Sequence, residues 1–198
     1  MNPWEDWYHI MCHTYGTWLP GDERGFRSRH HREHVDGDYK NPPPAGFYSD
    51  RLEQSKRLMK RDAVYLDLDQ QRRAVEELTK SFLKWKIELK RLSVDRVHAH
   101  ALAKIIDHDP RRWMGIAKKE CSAYMKRDGL APQGGLWAVR CECKPINDRR
   151  HLENVDKYIL DHDQQGAIVH PPREINADRP SMVNWDLSAI NPANFLIE

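Results

Sequence analysis

Several things are missing from this chain of 198 residues, and each absence narrows what it can be. No run approaches the eighteen or so consecutive apolar residues of a membrane-spanning helix, so no membrane role is expected. The opening MNPWEDWYHI has neither the basic nor the apolar stretch of a secretory leader. Cysteine is scarce: Cys12, Cys121, Cys141 and Cys143 form no Cys-x-x-Cys pair. That excludes a disulfide-framed secreted domain and a zinc ribbon, and it predicts reduced thiols in a cytoplasmic protein. There is no phosphate-cradling glycine loop, no Ser-His-Asp order, no internal repeat and no low-complexity tract. A marked excess of one charge is also lacking, since the net charge is +2.

What is present is a wet, charge-rich composition, 31% charged and 39% hydrophobic, with a mean hydropathy of −0.84. The length suffices to bury a core without covalent staples. The near-neutral sum hides segments. Lys104 to Arg127 carries seven Lys or Arg against three acids, and Arg51 to Asp62 carries five against two. From Glu174 onward four acids face Arg179 alone. Basic runs of this kind are either solvated helix faces or a groove for a polyanion.

Trp7 to Thr17 alternates with period two, Tyr8, Ile10, Cys12 and Thr14 against Trp7, His9, Met11 and His13, and predicts a strand. From Trp18 to about Ser49 the chain is irregular, rich in Gly, Pro, Arg and His, and reads as a surface insertion. A weakly patterned helix is predicted over 49–61. Val75, Leu78, Phe82, Trp85 and Leu89 predict a helix from about Leu68, giving way near Lys84 to a strand that ends at Val94. The next strand, VHAHALAKI, sets Val97, Ala99, Ala101 and Ala103 on one face and His98, His100 and Leu102 on the other. Asp109-Pro110 starts a helix whose predicted stripe is Trp113, Ile116, Ala117, Cys121 and Tyr124. LWAVRCECKPI is a strand with Trp137, Val139, Cys141 and Cys143 on one side. Asn147-Asp148 caps a final helix, about 149–163, with core residues Leu152, Val155 and Ile159. From Gly166 the chain reads as a tail. This β-α-β-β-α-β-α order predicts an α+β fold, an antiparallel sheet with helices packed on one face.

The chemistry concentrates in two places. On a strand, His98 and His100 point to one face about 7 Å apart, so two imidazoles can converge on one divalent ion. Alone such a tripeptide is weak, since most His-x-His pairs bind nothing. On the last helix Tyr158 and His162 stand one above the other, beside the core stripe. Together they make a candidate nucleophile and a three-imidazole ligand set; Glu142 is the alternative third ligand. His30, His31 and His34 have metal-like spacing but lie in the Arg-rich irregular stretch.

Three stretches resemble the HUH single-strand DNA nucleases, specifically the single-tyrosine transposases and REP-associated tyrosine transposases. They are Tyr15-Gly16-Thr17-Trp18-Leu19-Pro20-Gly21-Asp22-Glu23-Arg24-Gly25, Val97-His98-Ala99-His100, and Cys143-Lys144-Pro145-Ile146-Asn147-Asp148 followed by His151, Asn154-Val155 and Tyr158-Ile159. The resemblance spans about residues 5–165. It departs from the pattern at Ala99, where a bulkier aliphatic is usual, and at His162, where many members have Gln or Asn. The join near Trp85 is longer than the pattern, and the tail matches nothing.

The resemblance implies a ferredoxin-like sheet of HUH type and a metal-dependent strand-transferase acting on single-stranded or hairpin DNA, as monomer or homodimer. Tyr158 would be the catalytic nucleophile, giving a 5′-phosphotyrosine. His98, His100 and His162 would hold Mg²⁺ or Mn²⁺. Trp18, Arg24, Lys104, Arg111, Arg112, Arg140, Arg149 and Arg150 would contact DNA, with Trp137 a further stacking candidate. One domain would run from 1 to 166, with the insertion at about 18–60, and the tail from 167 to 198. The insertion would help choose the substrate. A domesticated hairpin-binding protein that moves no DNA is the alternative, and a small hydrolase with an incidental histidine cluster is a third reading.

Overall fold

Period-two alternation separates two kinds of side chain onto opposite faces of one sheet, and everything else packs accordingly. In a computed structural model of the chain, residues 4–22, 24, 26–27, 34–35, 44 and 46–173 are described. The strands are β1 (Trp7–Thr14), β2 (Phe26–Arg27), β3 (His34–Val35), β4 (Glu88–Val94), β5 (His98–Lys104), β6 (Trp137–Pro145) and β7 (Ile168–His170). The helices are α1 (Ser49–Arg57), α2 (Leu68–Lys84), α3 (Pro110–Arg127) and α4 (Arg149–Asp161), with a 3₁₀ turn at His162–Gln165. The main sheet is antiparallel with strand order β6-β1-β5-β4-β7, and β2 pairs with β3 separately. Its four long strands taken in chain order lie 4-1-3-2, the arrangement of a split β-α-β unit, so the fold is α+β and ferredoxin-like.

On the back face Ile10, Cys12, Leu92, Val94, Ala99, Ala101 and Ala103 meet Ala74, Val75, Leu78 and Phe82 of α2 and Met114, Ala117, Cys121 and Met125 of α3. The three alanines of β5 leave room for two helices to lie close. The start of α2 is fixed by a capping box, with the Asp67 carboxylate accepting from the Gln70 amide and the Gln70 side chain accepting from Asp67 N–H. At α3 the Asp109 carboxylate accepts from Arg112 N–H and Pro110 sits in the first turn, as predicted.

The expected layering is incomplete. α2 and α3 share one face, but α4 crosses the other, where Leu152, Val155 and Ile159 pack on Trp7, Leu102 and Ile146. The reason is strand parity: Leu102 and Trp7 point away from the alanine side, and they are the apolar surface that the α4 stripe covers. Arg91 ties α4 to β4. Its Nε donates to Asp156 Oδ1 at 2.7 Å and its Nη1 to the Pro171 carbonyl at 2.7 Å, with the side chain 14% exposed.

Three local predictions are corrected. The buried stripe of α3 is Met114, Ala117, Lys118, Cys121 and Met125. Tyr124 is 38% exposed, and Trp113 donates Nε1–H to Asp107 and tilts against Trp85. On β6, Val139 is 95% exposed rather than aligned with Trp137 and Cys141. There β6 takes four residues from Cys141 to Trp137 where β1 takes two from Cys12 to Thr14, an irregularity that turns Val139 outward. The buried Lys118 ammonium donates to the Ala138 and Val139 carbonyls at 2.7 and 3.0 Å, satisfying groups that the irregular stretch would otherwise strand. Finally, Ile168–His170, read as tail, pairs with β4 as the fifth strand after Gly166 turns the chain at φ +88°. The rest of the tail, from 174, lies outside the described residues, as does much of the insertion (23, 25, 28–33, 36–43 and 45).

Candidate active site

The front of the sheet carries the imidazoles. His98 and His100 share the front of β5, and antiparallel register sets His13 opposite His98 and Met11 opposite His100. His9, on the same side of β1, leans across to His100, with Nε2 3.1 Å from His100 Nδ1 and the rings stacked at 5.3 Å. From above, α4 brings Tyr158 to 5.5 Å from the His100 ring and 5.9 Å from His9, both edge-on. His162, at the C-terminal end of α4, lies 4.6 Å from the Tyr158 ring, 4.7 Å from His100 and 6.0 Å from His98. The strand pair and the helix pair therefore meet in one cluster.

Local folding holds the helix side in place. The chain tightens to a 3₁₀ turn after Asp161, with the terminal N–H groups bonding to the Ile159 and Leu160 carbonyls. The Tyr158 carbonyl is taken by His162 Nδ1–H at 2.8 Å. The imidazole thus serves as side-chain cap for the turn that carries Tyr158.

Each of the three imidazoles has Nδ1 directed at a protein group, His162 at the Tyr158 carbonyl, His100 at His9, and His98 at Asp95. The His98 Nδ1 to Asp95 Oδ2 separation is 2.5 Å, a close contact that is out of hydrogen-bond alignment. Asp95 itself accepts from the Val97 and His98 amides, which pin the carboxylate beneath the ring. His100 Nε2 is buried without a hydrogen-bond partner among the described residues. A stranded imidazole nitrogen amid other histidines is the donor that a divalent ion requires, and backing of Nδ1 is the usual outer shell of a metal-binding histidine. Imidazoles on one ion at about 2.1 Å hold their ring centres roughly 4.5–5.5 Å apart. The His98–His100 and His100–His162 spacings, 4.9 and 4.7 Å, fall in that range, and His98–His162 at 6.0 Å is the wide side. Among the described residues no group of three or more His, Cys, Asp or Glu side chains stands in an arrangement that could hold a metal ion. The donor set nevertheless fits an ion held chiefly by nitrogen.

Burial and the positive ends of neighbouring imidazoles hold His100 far below its ordinary value, at about 2. Burial first, then Lys144, lowers His9 to about 4. Burial, then His98, lowers His13 to about 4. These rings are neutral at pH 7, with lone pairs available. Burial and the Asp95 charge raise the Tyr158 phenol above its ordinary value, although the side chain is half exposed.

The alternative third ligand, Glu142, does not join the cluster. It faces Met11 from the far side of β1, two strands from His100, and pairs with Lys144 at 3.2 Å. The basic candidates divide. Lys104 shares the front parity of His98 and His100 on β5, and Arg149 and Arg150 sit exposed at the start of α4. Arg140 is exposed at the β6 irregularity. Arg111 and Arg112 open α3 behind the sheet, with Arg111 near Cys141 and Cys143, and the structure does not bring them to the histidines. Arg24 is held by Asp22 at 2.6 and 2.8 Å and by the Thr17 carbonyl, and it lies over Trp18, which also meets His13 at 4.5 Å. Trp137 is 8% exposed and belongs to the core, so it is no stacking platform.

His9 and His13 are functional candidates absent from the sequence-derived set. Their parity in WYHIMCHT was visible, but the pairing of β1 with β5 was not. The cluster is largely covered, with His9, His100 and His162 buried and Tyr158 half exposed, and a cavity of about 500 Å³ between segments 61–65 and 129–133 shares no residue with it. Among the described residues no helix is long and apolar enough to cross a membrane.

No protein-family model and no curated protein matches the chain. Among solved structures it is similar to a REP-associated tyrosine transposase bound to a REP hairpin, at 12% identity and a TM-score of 0.46 over 81% of this chain and 68% of the other. At that level the likeness carries no statement about function.

Proposed function

We propose that this chain is a metal-dependent single-strand DNA nuclease and strand-transferase of HUH type, with Tyr158 as nucleophile. The observation that carries the reading is the meeting of a half-exposed tyrosine with the clustered rings of His98, His100 and His162, of which His100 and His162 are buried. The motifs of Val97–His100 and of the stretch leading to Tyr158 support it, as does the antiparallel sheet beneath them.

His98, His100 and His162 would hold the ion through their Nε2 atoms. A bound Mg²⁺ or Mn²⁺ would neutralise charge on the scissile phosphate and offset the environment that keeps the Tyr158 phenol protonated. Tyr158 Oη attacks phosphorus, the bond from phosphorus to the 3′ oxygen breaks, and the strand is left with a 5′-phosphotyrosine and a free 3′-hydroxyl. The ester is conserved, so rejoining needs no nucleotide cofactor. α4 positions the nucleophile and one ligand together, while β5 holds the other two. Lys104, Arg149, Arg150, Arg140 and Lys144 surround this face and supply backbone phosphate contacts. Arg24, neutralised by Asp22, contributes shape through Trp18 more than charge. Residues 18–49 help select the substrate.

The test is incubation of the protein with end-labelled single-stranded DNA bearing a hairpin, with Mn²⁺ or with chelator, followed by a denaturing gel. A protein-linked label that needs the ion supports the reading. Hairpin binding with no cleavage or adduct under any divalent ion would replace it with a binding protein that moves no DNA.

A further inference from the structure

Two of the three candidate ligands are backed by groups whose role is fixed by chemistry: a carboxylate behind His98 and a main-chain carbonyl behind His162 can only accept. The third, His100, is backed by another imidazole, whose nitrogen can donate or accept. His100 can offer a lone pair at Nε2 only if its proton is on Nδ1, and that proton needs an acceptor 3.1 Å away at His9 Nε2. His9 is 7% exposed and stacked on His100, and it meets Tyr158 edge-on, so no water replaces it in that position without repacking. The unpartnered His100 Nε2 is the complement of this arrangement, because an N–H there would be a buried donor with nothing to receive it.

We infer that His9 is a positioning residue: it accepts the Nδ1 proton of His100 and so selects the tautomer that presents Nε2 to a divalent cation. His9 is thereby distinguished from His13, which among the described residues makes ring contacts with His98 and Trp18 and faces no ligand nitrogen at hydrogen-bond distance. The inference rests on the proposed metal role of His100, but its first consequence concerns the metal-free protein.

The experiment is long-range ¹H–¹⁵N correlation NMR of the metal-free full chain, assigning the His100 tautomer, followed by Mn²⁺ titration watched by electron paramagnetic resonance. Wild-type protein is expected to show His100 protonated at Nδ1. His9→Phe keeps the ring packing but removes the acceptor, so His100 should lose its preference for the Nδ1-protonated form and Mn²⁺ affinity should fall about 10–100-fold. His9→Gln, whose amide oxygen can accept, should retain the tautomer and recover most of the affinity. An Nε2-protonated His100 in the wild type overturns the inference without any variant. So does a His9→Phe protein with the wild-type tautomer and affinity. If no adduct with DNA ever forms yet the tautomer follows residue 9 as stated, the nuclease reading fails and the positioning role stands.

Discussion

The two faces of the main sheet are made by the same strands and differ in nearly every property. Behind β5 lie Ala99, Ala101 and Ala103, wholly buried under α2 and α3; in front lie His98 and His100, beneath Tyr158 of α4 and His162 of the 3₁₀ turn. The back is a packing surface, in which small residues let two helices approach and thiols stay inert; burial pushes Cys12 and Cys121 up to about 12. The front gathers imidazoles, two of whose nitrogens, His98 Nδ1 and His100 Nε2, are buried without a hydrogen-bond partner among the described residues. Period two lets a single seven-residue strand serve both, so stability and chemistry can be altered separately.

The largest effect on stability should come from the back. Phe82→Ala removes a side chain only 1% exposed and is expected to cost about 3–5 kcal/mol in chemical denaturation, with Mn²⁺ affinity of the surviving folded protein unchanged. From the front, His100→Ala should reduce cleavage more than about a hundredfold, equivalent to roughly 2.7 kcal/mol of barrier, while the far-UV spectrum and the denaturation slope stay those of the wild type. A single variant that produced both losses in full would erase the division between faces.

The join between the faces is the next test. Arg91, on the front of β4, is the clamp on Asp156 of α4. Arg91→Ala should cost about 1–3 kcal/mol, more than an exposed ion pair because both side chains are largely covered, and it should lower the Mn²⁺ response by loosening the helix that bears Tyr158 and His162. Loss of stability with an unchanged Mn²⁺ response would show that α4 docks without the clamp.

The smallest expected effect is a pH dependence at the back edge. His170 lies opposite Leu92 and is held below its ordinary value by burial and by Arg91. A depressed folded-state value means that the unfolded chain takes up the proton first, so the contribution is intact above about pH 6.5 and falls as the pH drops below it. The difference in melting temperature between wild type and His170→Gln should therefore shrink from pH 7.5 to pH 5.5. A difference independent of pH would mean that His170 takes up its proton as readily in the folded protein as in the unfolded chain.

Much of this was legible in the chain. The parity of VHAHALAK, the i, i+4 relation of Tyr158 and His162, and the Asp109-Pro110 and Asp148 helix starts are local, and local rules describe them. What escaped depends on distant partners. Which face α4 takes follows from Leu102 and Trp7 being apolar on the front, visible only once β1 and β5 are paired. His9 is backed by the same pairing. Val139 points outward because of an extra pair of residues in β6, and three-residue β7 is too short to show a period. In α3 both candidate stripes are amphipathic; the alanine-lined back of β5 accepts Met114, Ala117 and Cys121 closely, and the larger Trp113 and Tyr124 stay at the margin.

The central claim, that Tyr158 forms the covalent bond, is tested most directly by mass spectrometry of the protein–DNA adduct after nuclease trimming and proteolysis. The account predicts a nucleotide phosphate on the peptide that contains Tyr158, and none in the Tyr158→Phe protein, which still binds the hairpin because its phosphate contacts come from lysine and arginine. A nucleotide on Tyr124 or Tyr8, or undiminished cleavage by Tyr158→Phe, would contradict it.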